Sequence, residues 1–232
     1  MTTSSPPLTS QICAQLKSTK SLVPSQPWLN TFIASQRPTT PLNALVQTAV
    51  FRLLNSDITT CLDPTPTACF PLDIQNAEIK ERRISGPIIA QILNVEDMSK
   101  SRWQQVEAIE ALERGEGTKG REIVRVVPTE DGDDPNPGSN LGGGPHKLLL
   151  QDSRGARAYG IELRNVVGIS LSMSIGSKIS LKNVVVARGV VLLEPTTTSL
   201  LGGKIDALHK NWKENRKADL KAAIEAGEQD SH

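Results

Sequence analysis

The stretch KISLKNVVVARGVVLLEPTTTSLLGGKIDAL, residues 178–208, decides the fold. Lys178 to Val186 and Gly189 to Leu193 are rich in β-branched residues and read as two short strands with a turn at Gly189. Leu192-Leu193-Glu194-Pro195 is the exit from the second of them, and Gly202-Gly203 is a turn into a helix. On the N-terminal side, His146 to Asp152 (HKLLLQD) and Ala156 to Leu163 read as two further strands, with Tyr159 and Ile161 on one face. Asp152-Ser153-Arg154-Gly155 is the tight hairpin turn between them. Earlier still, from Arg83, the run Ile84, Ile88, Ile89, Ile92, Leu93, Val95 is β-rich and interrupted at Gly86-Pro87. Five short strands over about a hundred residues predict a small closed barrel of the OB type.

The residues ahead of the barrel have a helical period. Ser25 is placed to cap a helix and Pro27 sits in its first turn, where the missing N–H costs nothing. Trp28, Leu29, Phe32 and Ile33 then form one apolar stripe, and Arg37-Pro38 ends it. Leu42, Leu45, Val46, Val50, Leu53 and Leu54 repeat the pattern, and Asp57 to Leu62 adds a last turn. After the glycine pair, Ile205, Leu208, Trp212, Leu220 and Ile224 also keep near-helical spacing, with charged residues on the other faces. The predicted class is α+β. Residues 1–10 are a Ser/Thr/Pro-rich disordered tail and 11–62 a helical bundle. A connector, 63–78, leads to a five-stranded OB barrel, 79–200, and 201–232 form a C-terminal helix and tail. The acid-poor head resembles a mitochondrial transit peptide in composition, but its tight helical punctuation argues for a folded element.

Between the first and second barrel strands lies an insertion of 43 residues, Trp103 to Pro145. Loops of that length inside a compact domain are functional or disordered. Its start is helix-like, with Val106, Ile109 and Leu112 on one side, and its end, DGDDPNPGSNLGGGP, reads as flexible. Between these sits a β-prone island, Ile123-Val124-Arg125-Val126-Val127. Such apolar residues in a solvated segment either await a partner or fold back on their own domain. Trp103, Val106, Ile109, Leu112, Ile123, Val124, Val126 and Val127 are therefore the candidate partner-binding residues.

Charge separates the insertion from the barrel. The insertion carries nine acidic and four basic residues, whereas the rest of 79–197 carries six acidic and twelve basic, although the whole chain has a formal charge of only +1. Lys80, Arg82, Arg83, Arg154, Arg157 and Arg164 are candidates for phosphate contact, with ordinary strand-edge and turn charge as the alternative. Aromatic residues make up only 3% of the chain, and Tyr159 is the one aromatic on the barrel strands. A single-strand-binding barrel relies on several stacking rings, so this composition argues against one. DNA binding is expected to be weak and salt-sensitive.

No catalytic signature emerges. Gly115 to Gly120 matches GxGxxG but follows a helix-like stretch and opens no helix, as a dinucleotide site requires. Asp131, Asp133 and Asp134 suggest a calcium loop that Pro135 interrupts. His146, His209 and His232 lie far apart and read as surface residues. The three cysteines lack metal spacing and read as packing residues of a reducing compartment. No cofactor or metal is expected, and no apolar run approaches the roughly 20 residues of a membrane span.

These pieces together resemble the N-terminal region of the RecQ-mediated genome instability protein 1 family, as a short, fungal-type member. The likeness runs from about Trp28 to Ala222. It rests on PWLNTFIASQ, PLNALVQTAVFRLL, ISGPIIAQILNVEDMSKSRWQQ, HKLLLQDSRGARAYGIEL and, most specifically, residues 178–208. The resemblance implies a nuclear, non-catalytic scaffold that joins a type IA topoisomerase III to a RecQ-family helicase. That complex dissolves double Holliday junctions without crossover. It also implies that the insertion after the first strand enters the topoisomerase gate and favours decatenation. A stand-alone single-strand-binding OB protein is the alternative.

Overall fold

The computed structural model describes residues 7–119, 122–125 and 144–229. The chain divides into two compact units, one built from Met1–Glu96 with Pro145–His209 and the other from Asp97–Gly144 with Lys210–His232.

The first unit begins with helices α1 (Leu8–Lys20), α2 (Gln26–Ala34), α3 (Leu42–Leu54) and the single turn α4 (Ile58–Cys61). Helix α1 starts inside the stretch expected to be disordered, because Ile12 and Leu16 supply it with a buried face. Ile12, Leu16, Leu29, Phe32, Leu45, Val46, Ala49, Leu53, Ile58 and Cys61 close one core, which reaches the barrel through Ile89 and Leu201. Ser25 occupies the N-cap of α2 as expected, but its hydroxyl donates to Thr60 O (3.0 Å) instead of accepting from the helix.

The barrel comprises β1 (Arg82–Ile84), β2 (Ile88–Asp97), β5 (His146–Gln151), β6 (Arg157–Glu162), β7 (Lys178–Leu181), β8 (Val184–Ala187), β9 (Val190–Leu193) and β10 (Thr198–Gly202). The second unit holds β3 (Glu116–Lys119) and β4 (Glu122–Arg125), with the helices α5 (Arg102–Glu113) and, after its first turn, α6 (Asp206–Gln229). The barrel sheet runs β1-β8-β9-β6-β5-β2-β7-β10. The segment expected as one strand from Lys178 to Val186 is broken at Asn183, whose φ of 54° is tolerated by asparagine. The break closes the barrel: β7 pairs with β2 while β8, two residues later, pairs with β9. Strands β6 and β9 pair in parallel, whereas the pairs β1–β8, β8–β9, β5–β6, β2–β7 and β7–β10 are antiparallel. The five expected strands thus correspond to β2, β5, β6, β7 with β8, and β9. Strand β1 is set apart by Gly86-Pro87, and β10 was not anticipated; it adds an edge to β7.

Turn chemistry matches the sequence. Arg188 and Gly189 both have positive φ (47° and 82°), the pattern of a two-residue hairpin turn. Asp152 accepts from Arg154 N and Ala156 N through Oδ1 and from Phe70 N through Oδ2. The last bond shows that the connector is laced to the barrel. Arg82 reaches Asp73, Gln75 reaches Arg157 O and Arg188 reaches Ala77 O.

One buried cation joins head to barrel. Lys178, 1% exposed, donates from Nζ to Leu54 O (3.1 Å), Ser56 O (2.7 Å) and Gly176 O (2.8 Å). Two of these carbonyls lie at the C-terminal end of α3, where the helix dipole favours a cation. Gln91 Oε1 accepts from Ile58 N (3.0 Å), and Asn55 Oδ1 accepts from Lys204 N (2.9 Å). Gly203, with φ of 96°, lies so close that a Cβ there would fall 2.2 Å from Leu54 O. Burial pushes the Lys178 ammonium down to about 8, against the pull of Cys61 and Asp57.

Lys178→Met leaves three carbonyls without their donor while removing the burial cost of the charge. The net loss of stability is expected to be about 2–4 kcal/mol, measurable by denaturant titration. The folded pKa lies below the ordinary lysine value, so the unfolded state holds more protons between pH 8 and 10.5 and stability rises with pH there. Burial pushes the Cys61 thiol up to about 11, which acts in the opposite sense above pH 9. From pH 8 to 9 the wild-type chain should therefore gain stability relative to Lys178→Met.

In the second unit, Trp212 and Leu220 are buried on α6. The Arg216 guanidinium lies 4.8 Å from the Trp212 ring centroid. Trp212→Ala is expected to cost about 3–5 kcal/mol. An unchanged melting temperature would show that Trp212 has no structural role.

Candidate interaction surface

The strand register arranges outward-facing barrel residues in rows that cross four or five strands. One row runs Arg83, Val185, Leu192, Ile161, Lys147 on β1, β8, β9, β6 and β5. The next runs Ala187, Val190, Tyr159, Leu149. Alternate residues of the same strands, Val184, Val186, Val191, Leu193, Leu148 and Leu150, are buried in the barrel. Period-two alternation therefore leaves an apolar band on the outside, ended by Arg83 and Lys147. Leu163 and Val167, just beyond β6, are also exposed. Lys147 Nζ lies 4.3 Å from the Tyr159 ring centroid, so one face of this ring already carries a cation.

The phosphate candidates divide into two groups. Lys80, Arg83, Arg157 and Arg164 are exposed, whereas half-buried Arg82 and exposed Arg154 are tied to the connector. Arg82 pairs with Asp73 at 2.7 Å and also donates to Asp73 O (2.8 Å); its hydrogen bond holds the Asp73 carboxyl below the usual range. Arg154 donates to Phe70 O. Arg82 and Arg154 thus tie the connector to the barrel. Lys178, counted among the basic residues of the barrel, is inside it.

In the second unit, Ser101 and Gln104 form a reciprocal cap at the start of α5 (Gln104 N to Ser101 Oγ 3.1 Å, Ser101 N to Gln104 Oε1 2.9 Å). Helix α5 packs with α6. Lys221 Nζ reaches Glu110 at 2.8 Å, Lys217 Nζ reaches Glu113 at 2.5 Å, and Arg102 donates to Ala223 O (3.1 Å). The Lys221 hydrogen bond holds Glu110 below its usual range, and the Glu113 hydrogen bond raises Lys217. Of the insertion candidates, Val106 is buried and Ile109 half-buried, whereas Trp103 is 58% and Leu112 64% exposed. Ile123 and Val124 lie on β4, opposite Thr118 and Gly117 of β3. Val126 and Val127 fall outside the described residues, as do Asp131, Asp133 and Asp134. Glu116 to Lys119 of the GxGxxG match form strand β3, which is no phosphate-binding turn.

The histidines correct the sequence reading. His146 is buried and its Nδ1 lies 2.6 Å from Glu162 Oε2, while the same oxygen accepts from His146 N (3.0 Å). Ile175 N donates to His209 Nδ1 (3.2 Å). The separation of sixteen positions between His146 and Glu162 hid a partner that the β5–β6 hairpin brings adjacent. His232 lies outside the described residues.

Two family models match this arrangement. "RMI1, N-terminal helical domain" covers residues 16–61, and "RMI1, N-terminal OB-fold domain" covers residues 70–216. A Schizosaccharomyces pombe protein named RecQ-mediated genome instability protein 1 is 30% identical over 201 residues, which is 80% of this chain and 83% of that protein. The chain belongs to the RecQ-mediated genome instability protein 1 family. The OB-fold match of the family begins at residue 70, ahead of the expected barrel start at 79, in the connector that Phe70, Asp73 and Gln75 fasten to the barrel.

The two groups of arginines should separate experimentally. Arg82→Ala and Arg154→Ala are expected to lower the melting temperature. Arg83→Ala and Arg164→Ala should leave it unchanged, because exposed side chains without such ties contribute little.

Proposed function

We propose that this chain is a non-catalytic scaffold subunit that joins a type IA topoisomerase III to a RecQ-family helicase. In the nucleus it serves double Holliday junction dissolution and decatenation, and through them genome stability. Family membership supports the coarse part of this reading, a genome-stability role linked to RecQ. The observation that carries the finer part is the position of the insertion. It leaves the barrel directly after β2 and returns at β5, two strands that are neighbours in the sheet. Among the described residues, no helix is long and apolar enough to cross a membrane.

Two surfaces take the partner role. The apolar band of Val185, Leu192, Ile161, Val190 and Tyr159 offers a non-polar contact with basic ends, suited to a protein partner. The insertion offers Trp103 and Leu112 from α5 and Ile123, Val124, Val126 and Val127 from the segment that follows. Val106 and Ile109 act by holding α5 in place. Lys80, Arg83, Arg157 and Arg164 supply weak phosphate contacts. A stand-alone single-strand-binding barrel fits less well, because Tyr159 is the one ring on the outward band and Lys147 occupies one of its faces.

Shortening the insertion tests the reading. Replacing residues 116–144 with a Gly/Ser turn keeps α5 and its ion pairs. The shortened chain should still fold and bind topoisomerase III, and it should lose stimulation of decatenation. Full stimulation by the shortened chain would remove the insertion from the mechanism. Loss of binding to the topoisomerase would assign docking to the insertion in place of the barrel.

A further inference from the structure

The helical head has an aromatic cleft that neither the barrel nor the insertion explains. It is about 360 Å³ in volume and lies between α2 and α3. Trp28 and Phe32 stack with ring centroids 5.2 Å apart and planes 4° from parallel. Phe51 on α3 lines the same cleft and is 69% exposed, an unusual position for a phenylalanine that serves only packing. The Arg52 guanidinium lies 5.5 Å from the Phe32 ring centroid, and Nη1 donates to Ser35 Oγ (3.0 Å), which fixes the charge at the rim.

Arg52 is the one charged residue among those lining the cleft, and Lys204, whose N donates to the lining residue Asn55, is paired with Asp206 at 2.9 Å. Residues 1–56 contain no Asp or Glu but contain Lys17, Lys20, Arg37 and Arg52. All four are exposed, and Arg37 follows the cleft residue Ser35 by two positions. The nearest carboxylate in sequence, Asp57, is occupied with Thr59 N and Oγ1 (2.8 and 2.6 Å).

We propose that this cleft is a single-stranded DNA site, in which an unpaired base stacks on Phe51 and Trp28 while Arg52 meets the adjoining phosphate. A positive groove with aromatic platforms is the general design of sequence-tolerant strand binding. The polar lining supports tolerance over base reading. Thr31 Oγ1 donates to Pro27 O, Ser35 Oγ to Phe32 O, Ser56 Oγ to Arg52 O and Asn55 Nδ2 to Phe51 O. These donors are committed to the chain's own carbonyls and do not address base edges. The site is separate from the scaffold surfaces above, so its failure would leave that reading intact.

The test uses the full chain and two probes of equal length, a short fluorescent oligodeoxythymidylate and an abasic oligomer. The wild-type chain should bind the thymidylate more tightly than the abasic strand. Phe51→Ala should weaken thymidylate binding about five- to hundredfold and leave abasic binding unchanged. Phe51→Trp, which keeps a ring, should bind at least as well as wild type. Equal wild-type affinity for both probes would overturn the proposal. So would unchanged thymidylate binding by Phe51→Ala, and if that variant instead lost a protein partner, the cleft would be a protein-docking site.

Discussion

The Lys178 ammonium is the interaction on which the arrangement of head and barrel depends. It comes from the first residue of β7 and ends among carbonyls of Leu54 and Ser56, at the C-terminal end of α3. A helix end leaves carbonyls without intrahelical donors, and burying them without partners is costly. One cation from the barrel satisfies that need in the head. The rest of the joint follows from the same point. Gly203 must be glycine because Leu54 O occupies the place of its Cβ, and Asn55 and Ile58 are held by Lys204 N and Gln91. The apolar core continues across the joint through Ile89 and Leu201.

The order of elements was legible in the sequence because the local chemistry was strong. Period-two alternation marked β5 and β6, the Asp-Ser-Arg-Gly turn marked their hairpin, and glycine at 189 marked the next one. Long-range consequences were not legible. The break at Asn183 looks like continuous strand in a β-branched run, yet that break lets one segment pair at both ends of the sheet. Lys178 reads as ordinary strand charge, because nothing local shows that α3 ends beside it. His146 and Glu162 are partners only once the hairpin is formed. Strand β10 was hidden because it is short and runs into the glycine pair, whose first member, Gly202, is its last residue. For the interaction surface, Tyr159 and Ile161 were visible as one face, but the band they share with Val185 and Leu192 requires the parallel β6–β9 pairing.

The two units present different surfaces. The barrel, closed by β7 and β8, presents a fixed apolar band with basic ends. The second unit begins where β2 ends, and its helix α5 is bound to α6 by two ion pairs and by the bond from Arg102 to Ala223 O. Exposed pairs of this kind each contribute only about 0.2–1 kcal/mol, so α5 relies on buried Val106 and on its Ser101–Gln104 cap as well. Trp103 and Leu112 stay exposed on a supported helix, an arrangement suited to contact with a partner. Charge follows the same division, with basic residues on the barrel and acidic ones in the insertion.

The central structural claim is that head and barrel form one cooperative body joined at Lys178. Native-state hydrogen exchange tests it directly. Amides of α3, from Leu45 to Leu53, and of β2, from Ile88 to Ile92, should open with the same free energy and respond equally to denaturant. Exchange of the α3 amides at a clearly lower free energy, with β2 still protected, would show that the head opens independently and would contradict the account.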